Sequence, residues 1–278
     1  MATKVLVTGC SSGFGLLIAL RFARAGDRVV ATMRRPESAP PELTGPIAKE
    51  KLPITIARLD VCDPKSVEAA VREAGEIDVL VNNAGIECRS SIEDADEEDV
   101  RKQFDTNVFG TLRVLRAVLP QMRARRRGTI VNISSIAGIV ARPFGGLYSA
   151  SKHALEAITE ALHFEVQPLG IRVVLIEPGA YGTRLLDNAY PGRRFGPASP
   201  YWPVSERFEE ALATLREGTG GMQDPQEVAD LVHAAVNDPQ PKLRYLAGRD
   251  AQMIATAYRQ LDFEQFEQAM RRSMNWVE

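Results

Sequence analysis

Tyr148 and Lys152 stand four residues apart, a spacing that puts both on one face of a helix. A phenol beside an ammonium is an acid–base pair. The positive charge favours the phenolate and draws the tyrosine pKa from about 10 toward the neutral range, where proton transfer is useful. The stretch that carries the pair opens with Ser134-Ser135-Ile136-Ala137-Gly138 and passes Pro143 and Gly146. A helical pattern then runs to about Val166, where Pro168 and Gly170 end it. One Tyr and one Lys fit an ordinary surface helix equally well, so the rest of the chain must decide.

A second chemical stretch lies near the N-terminus. Thr8-Gly9-Cys10-Ser11-Ser12-Gly13-Phe14-Gly15 separates an apolar run from a helical pattern over Leu16 to Ala25. Glycines between strand and helix let the backbone turn tightly and approach a pyrophosphate, and the helix N-terminus offers it free N–H groups. Gly9, Ser11, Ser12, Gly13, Phe14 and Gly15 are therefore candidate dinucleotide contacts, in the spacing Gly-x-x-x-Gly-x-Gly. After the next apolar run comes Met33-Arg34-Arg35, where an NAD site would place an acid for the ribose hydroxyls. A guanidinium there suits a 2′-phosphate, so the cofactor is expected to be NADP(H), with Arg34 as its reader.

The elements that must position these groups alternate. Strands are predicted near 4–8, 28–33, 54–60, 78–83, 128–134, 171–177 and 244–248, and helices near 14–25, 65–74, 97–126 and 149–167. Such alternation predicts an α/β fold, a doubly wound parallel sheet with right-handed helical crossovers, in one domain over residues 1–278. Runs such as Val5-Leu6-Val7 and Val173-Val174-Leu175-Ile176 are apolar throughout, as strands buried on both faces are. Pro and Gly make 36–53 a surface loop. The long stretch of about 184–222, with Tyr190, Phe195, Tyr201 and Trp202 and one helix near 204–216, reads as a lid over the substrate. Of Leu261, Phe263, Phe266 and Met270 in the C-terminal helical stretch, packing on the sheet is favoured over lining a pocket.

Composition narrows the classes. The chain has 278 residues, 45% hydrophobic and 25% charged, and a net charge of −2, which gives no pull toward nucleic acid or anionic membrane. Cys10, Cys62 and Cys88 lack disulfide or metal-ligand spacing, so no metal is expected and the thiols should be reduced. No apolar run reaches the roughly 18 residues of a membrane span, and a soluble, cytoplasmic protein is expected.

These residues together resemble the short-chain dehydrogenase/reductase family from residue 3 to about 250. The resemblance rests on Thr8-Gly9-x-x-x-Gly13-x-Gly15, Asp60-Val61, Asn82-Asn83-Ala84-Gly85, Asn107, Ser135, Tyr148-x-x-x-Lys152, and Pro178-Gly179 with Thr183. Ala31-Thr32-Met33-Arg34 and the wording from Tyr148 to His163 resemble the NADP-preferring steroid and retinol dehydrogenase-like members. The resemblance implies a Rossmann-like fold and hydride transfer between a nicotinamide and a ketone or secondary alcohol. Asp60 would bond the adenine amine with Val61 beside the ring, Asn82 and Gly85 would stabilise the sheet edge and line the adenine-ribose path, and Asn83 and Ala84 would also contact the cofactor. Pro178, Gly179 and Thr183 would hold the nicotinamide. Asn107, Ser135, Tyr148 and Lys152 would form the catalytic set. Tyr148 is the acid or base, Ser135 steadies the carbonyl oxygen, and Lys152 holds the ribose and a lowered tyrosine pKa. Asn107, in a local helix break beside Gly110, would hold a proton-relaying water.

The expected activity is a carbonyl reductase or alcohol dehydrogenase acting on a bulky, apolar small molecule. The alternatives are a 3-oxoacyl carrier-protein reductase and a catalytically silent NADP-binding sensor. Cys10 is expected to bring a thiol near the phosphates, and His153 to pack. Ala150, Ala154, Ala157 and Ala161 form a small-residue stripe that suits close approach, either to the sheet or to another subunit. The family commonly pairs this helix between subunits, so a homodimer or homotetramer is expected.

Overall fold

The apolar runs become strands. They are β1 (Lys4–Val7), β2 (Arg28–Met33), β3 (Ile54–Arg58), β4 (Val79–Asn82), β5 (Cys88–Arg89), β6 (Gly128–Ile133), β7 (Ile171–Pro178), β8 (Tyr190–Pro191) and β9 (Arg244–Ala247). Between them lie α1 (Gly13–Arg24), α2 (Pro41–Glu50), α3 (Pro64–Ala74), α4 (Glu97–Phe104), α5 (Thr111–Arg125) and α6 (Gly146–Val166). After β7 come α7 (Trp202–Gly218), α8 (Gln226–Asn237), α9 (Arg249–Gln260) and α10 (Phe263–Ser273). The computed structural model describes residues 2–183, 185, 189–218 and 220–274.

Among these residues a seven-stranded sheet runs in the order β3-β2-β1-β4-β6-β7-β9, every pairing parallel. Parallel neighbours need crossovers, and the helices that supply them cover both faces. One core joins α1 and α8 to the sheet through Leu16, Ile18, Val228 and Val232; the other joins α3, α5 and α6 through Val67, Val114 and Leu162. Fully buried strand residues such as Leu80, Ile130 and Ile176 each contribute about 1.5–3 kcal/mol over exposure. The strand order reverses between β1 and β4, which opens a crevice at their C-terminal ends, the place where doubly wound sheets bind ligands.

One expectation changes. The segment 36–53 is a short 3₁₀ turn followed by α2 rather than a loop. Pro41 sits at the first helical turn, where a missing N–H costs nothing, and the fully buried Leu43 anchors the helix despite Pro46 inside it. The local break expected beside Asn107 and Gly110, within the helical pattern over 97–126, is a π-helical stretch, Asp105–Gly110, between α4 and α5. Helix α8 was legible in the spacing of Val228, Ala229, Val232, Ala235 and Val236, all buried, but went unread.

Within the lid segment, residues 184, 186–188 and 219 lie outside the described ones. The remainder includes α7 and β8, and β8 pairs with β5, Cys88 opposite Tyr190. Phe195 stacks on Phe144 with ring centroids 5.9 Å apart and lies 5.3 Å from Trp202, so the lid aromatics pack on the loop before α6.

Candidate active site

The turn after β1 is shaped by close approach. Gly9 and Gly13 take φ of 75° and 59°, the left-handed region that glycine adopts without strain. A Cβ on Gly9 would meet Ala84 Cα at 2.9 Å, and one on Gly15 would lie 2.4 Å from Asn83 Nδ2. Asn83 ties the turn to the end of β4, its Nδ2 donating to the carbonyls of Thr8 at 2.9 Å and Gly9 at 3.2 Å. The turn and the residues after β4 are therefore one rigid concavity at the sheet's switch point.

That concavity is one end of a cavity of about 1250 Å³, above the roughly 300–1,000 Å³ of a single-ligand cleft. Gly9, Ser11, Ser12, Gly13, Phe14, Arg34, Asp60, Val61, Asn83, Ala84 and Gly85 line this end; Pro178, Gly179 and Thr183 stand midway. A glycine cradle against a helix N-terminus, continued by Arg34, fits an extended dinucleotide. Arg34 is on the wall and Arg35 is not. Gly15 is also off the wall, and serves the packing of α1 against the β4 end. Cys10 turns away too. It is fully buried in the core, its Sγ donates to the Val7 carbonyl at 3.3 Å, and burial raises its pKa to about 12, so it brings no reactive thiol to the phosphate end.

Ser135, Tyr148 and Lys152 line the middle of the cavity. Ser135 precedes a short 3₁₀ turn, its Oγ accepting from the Ala137 amide at 3.1 Å and donating to the Pro178 carbonyl at 3.5 Å, and its hydroxyl lowers the pKa of the neighbouring Tyr148 phenol. The other serine, Ser134, is buried at the end of β6 with its amide bonded to the Ile176 carbonyl at 2.7 Å. Lys152 donates from Nζ to the Ile133 carbonyl at 2.8 Å, and that Nζ lies 5.6 Å from the Tyr148 ring centroid.

The electrostatics differ from the expectation that Lys152 holds the tyrosine pKa low. Burial raises the Tyr148 pKa well above its ordinary value, and Glu87 adds to the rise; the Ser135 hydroxyl and Arg142 oppose it. Burial likewise lowers the Lys152 pKa to about 8, with Glu156 pulling it back up. Desolvation dominates at both groups, and the phenol keeps its proton.

Asn107 is buried in the π-helical stretch but off the cavity wall. Its Nδ2 donates to the Ile86 carbonyl and to Ser151 Oγ, both at 3.0 Å, and its Oδ1 accepts from the Ile86 amide at 2.9 Å. The side-chain amide thus braces the segment after Gly85 against α6 rather than reaching toward Lys152. Ser151, which sequence reasoning passed over, completes the brace by donating to the Tyr148 carbonyl at 2.7 Å; its signal was its place one residue before Lys152.

The far end of the cavity is apolar. Val140, Phe208, Leu212 and Leu215 face Met253, Ile254, Phe263, Phe266, Met270 and Met274. The C-terminal residues Phe263, Phe266 and Met270 therefore close the pocket rather than pack on the sheet, while Leu261 does not line it. Charged side chains interrupt this end: Arg216, Glu267 and Arg271 stand on the wall, as does one ion pair. Glu87 is buried, lines the cavity and pairs with Arg142. It also went unread, although an acid two residues after Gly85 was its signal. On the outer face of α6, Ala150, Ala157 and Ala161 are exposed and Ala154 is half-buried, so the stripe does not pack on the sheet. His153 is exposed rather than packed, its Nδ1 near the Ser149 carbonyl at 2.9 Å.

The chain is similar to known proteins in sequence and fold. The family model for short chain dehydrogenases matches residues 3–194. The chain is 40% identical over 250 residues to the uncharacterized oxidoreductase YusZ of Bacillus subtilis, covering 88% of each chain. It is 36% identical over 253 residues to the 17-beta-hydroxysteroid dehydrogenase type 1 of Mus musculus, covering 88% of this chain and 73% of that one. Among solved structures, a short-chain dehydrogenase from Streptomyces avermitilis superposes with a TM-score of 0.80 at 35% identity, over 99% of this chain and 97% of that one.

Proposed function

The chain belongs to the short-chain dehydrogenase family, oxidoreductases acting on CH–OH and C=O groups, and from that premise we propose an NADP(H)-dependent reductase of bulky, apolar ketones, or the reverse alcohol dehydrogenase. One observation carries the proposal. Tyr148, kept protonated by burial, and Ser135 line the same cavity as the glycine-rich turn and the apolar side chains. A dinucleotide held against that turn would supply the hydride for reduction or accept it in oxidation. Gly9, Ser11, Ser12, Gly13 and Phe14 would hold its phosphates, Asp60 and Val61 its adenine, and Pro178, Gly179 and Thr183 its nicotinamide end. Arg34 stands for NADP over NAD, because no acid occupies its place to bond a free ribose hydroxyl.

The residues then divide the work. The apolar wall from Phe208 to Met270 excludes water and holds the body of the substrate. Its carbonyl oxygen faces Tyr148 and Ser135. Ser135 donates to that oxygen as charge develops, and Tyr148 delivers the proton. Lys152, on the same helix face, orients the ribose and stabilises the phenolate left behind. Asn107 and Ser151 fix the Ile86 segment and α6 relative to each other. The relative named as a hydroxysteroid dehydrogenase supports a rigid, apolar substrate.

We read residues 1–278 as one domain, cytoplasmic, with reduced thiols. The exposed alanine stripe of α6, continued by Phe164 at 74% exposure, stands for pairing of α6 between subunits in a dimer or tetramer. No helix among the described residues is long and apolar enough to cross a membrane.

The test follows NADPH consumption against a panel of ketones and aldehydes. Tyr148→Phe should lower turnover by about 10²–10⁴-fold and leave NADPH affinity unchanged. A wild type without turnover, or full activity in the variant, rejects the assignment. A monomeric mass by light scattering rejects the pairing of α6.

A further inference from the structure

Asp250 stands in the first turn of α9, where an acid suits the positive end of the helix. That role does not account for where its carboxylate reaches. Oδ2 accepts from the Ala180 amide at 2.6 Å, inside the turn that follows β7, and Oδ1 accepts from Gln223 Nε2 at 2.8 Å. The carboxylate fills the space beside Gly179 so closely that a Cβ there would lie 2.1 Å from Oδ1. The Asp250 carboxylate therefore occupies the space that a side chain at 179 would need.

Gln223 completes the joint. Its Oε1 accepts from the Arg249 amide at 2.8 Å, and its backbone carbonyl accepts from the Gly182 amide at 3.3 Å. Tyr181 and Gln223 form an isolated parallel bridge. The two ends of the lid segment, at Thr183 and Gln223, are thereby held side by side, and both are tied to the helix that carries Met253 and Ile254 into the apolar wall. The glycine turn after β1 touches the same joint, because Phe14 meets Tyr181 edge-on with ring centroids 5.6 Å apart. The turn after β7, the far end of the lid and α9 share one carboxylate and one side-chain amide.

We propose that Asp250 and Gln223 form a clasp that positions the turn Pro178–Thr183 and couples dinucleotide binding to the ordering of the apolar pocket wall. Asp250 is a positioning residue, acting through the Ala180 amide. The proposal rests on the dinucleotide reading above. When the turn is occupied, its amide is fixed, the carboxylate is fixed with it, and the lid ends and α9 lose freedom together; the apolar wall is then preorganised for its ligand. Linkage makes the effect reciprocal, so a ligand on the apolar wall tightens the dinucleotide by the same factor.

Hydrogen–deuterium exchange with and without saturating NADP⁺ tests this without a known substrate. In the wild type, NADP⁺ should slow exchange in residues 9–16, and also in α7 (202–218) and α9 (249–260) by about fivefold or more, the low end of typical coupling energies. In Asp250→Ala and, separately, Gln223→Ala, protection of 9–16 should persist while that of α7 and α9 falls to near onefold. The two variants cut different bonds, so a folding defect in one leaves the other to report. Undiminished protection of α7 and α9 in a folded variant overturns the clasp, as does a wild type protected only at 9–16. A wild type with no protection at 9–16 brings down the dinucleotide reading and the coupling with it.

Discussion

Replacing Arg244 by Met probes the charged cluster behind the catalytic helix. The Arg244 guanidinium pairs with both Glu156 and Glu177, and with Glu160 at 2.6 Å. Glu177 is fully buried and Glu156 nearly so, while the Arg244 side chain is 30% exposed. Removing one partner of a buried pair costs about 3–5 kcal/mol, and the exposure of Arg244 argues for the lower end. About 3 kcal/mol lowers Tm by roughly 6–12 °C in a chain of this size. The pH dependence has a definite sign. Burial raises the Glu156 pKa, Glu177 adds to the rise, and Arg244 opposes it. A carboxyl whose folded pKa lies above its unfolded value costs nothing below about pH 4 and progressively destabilises the fold as pH climbs toward neutrality. Without Arg244 that loss deepens. The Tm deficit of Arg244→Met should therefore be largest at pH 8 and shrink at pH 5 in calorimetric melts. A deficit under about 2 °C at pH 8, or an equal deficit at both pH values, refutes the reasoning.

Gly15→Ala places a methyl 2.4 Å from Asn83 Nδ2 and 2.5 Å from the Gly9 carbonyl. It should destabilise by about 1–3 kcal/mol and weaken NADP⁺, and unchanged melts and titrations would contradict the packing role. Arg34→Ala should weaken NADPH by about tenfold or more, the loss of charge-assisted hydrogen bonds, and barely change NADH; an equal loss of both in fluorescence titrations removes Arg34 as the phosphate reader. Burial lowers the Lys152 pKa to about 8, so its charge is lost near there rather than above 10. Turnover should fall as pH rises through about 8, and a pH–rate profile flat to pH 10 would dismiss the charged lysine.

The sheet was legible because its strands are buried on both faces, and continuous apolar runs such as Val173 to Ile176 have no other reading. The α2 segment misled because Pro and Gly count as breakers by type, whereas Pro41 at a helix start is favourable by position. The cavity-lining residues were legible where a local motif carries them, as Gly9 to Phe14 and Tyr148 to Lys152 do. The brace from Asn107 to Ser151 and Ile86, and the pair of Glu87 with Arg142, join positions 21 to 55 residues apart. No local spacing announces them. The C-terminal Phe263, Phe266 and Met270 show the limit of apolar pattern: it says that a face is covered, and only the fold says whether by sheet or by ligand.

The tyrosine shows most clearly what tertiary context adds. The spacing of Tyr148 and Lys152 suggests an ammonium that keeps a phenolate ready, yet both groups are buried and burial disfavours each charge separately. A general acid needs its proton at rest and loses it only as the carbonyl oxygen gains charge. A raised phenol pKa meets the first condition. The second depends on what surrounds the phenolate once it forms, namely the Ser135 hydroxyl, the Arg142 guanidinium and the Lys152 ammonium 5.6 Å from the ring. Lys152 is therefore better assigned to the product of proton transfer than to the resting acid. Glu156, four residues on, opposes the lowering of the Lys152 pKa and itself pairs with Arg244, so the proposed proton transfer and the buried cluster around Arg244 share one carboxylate.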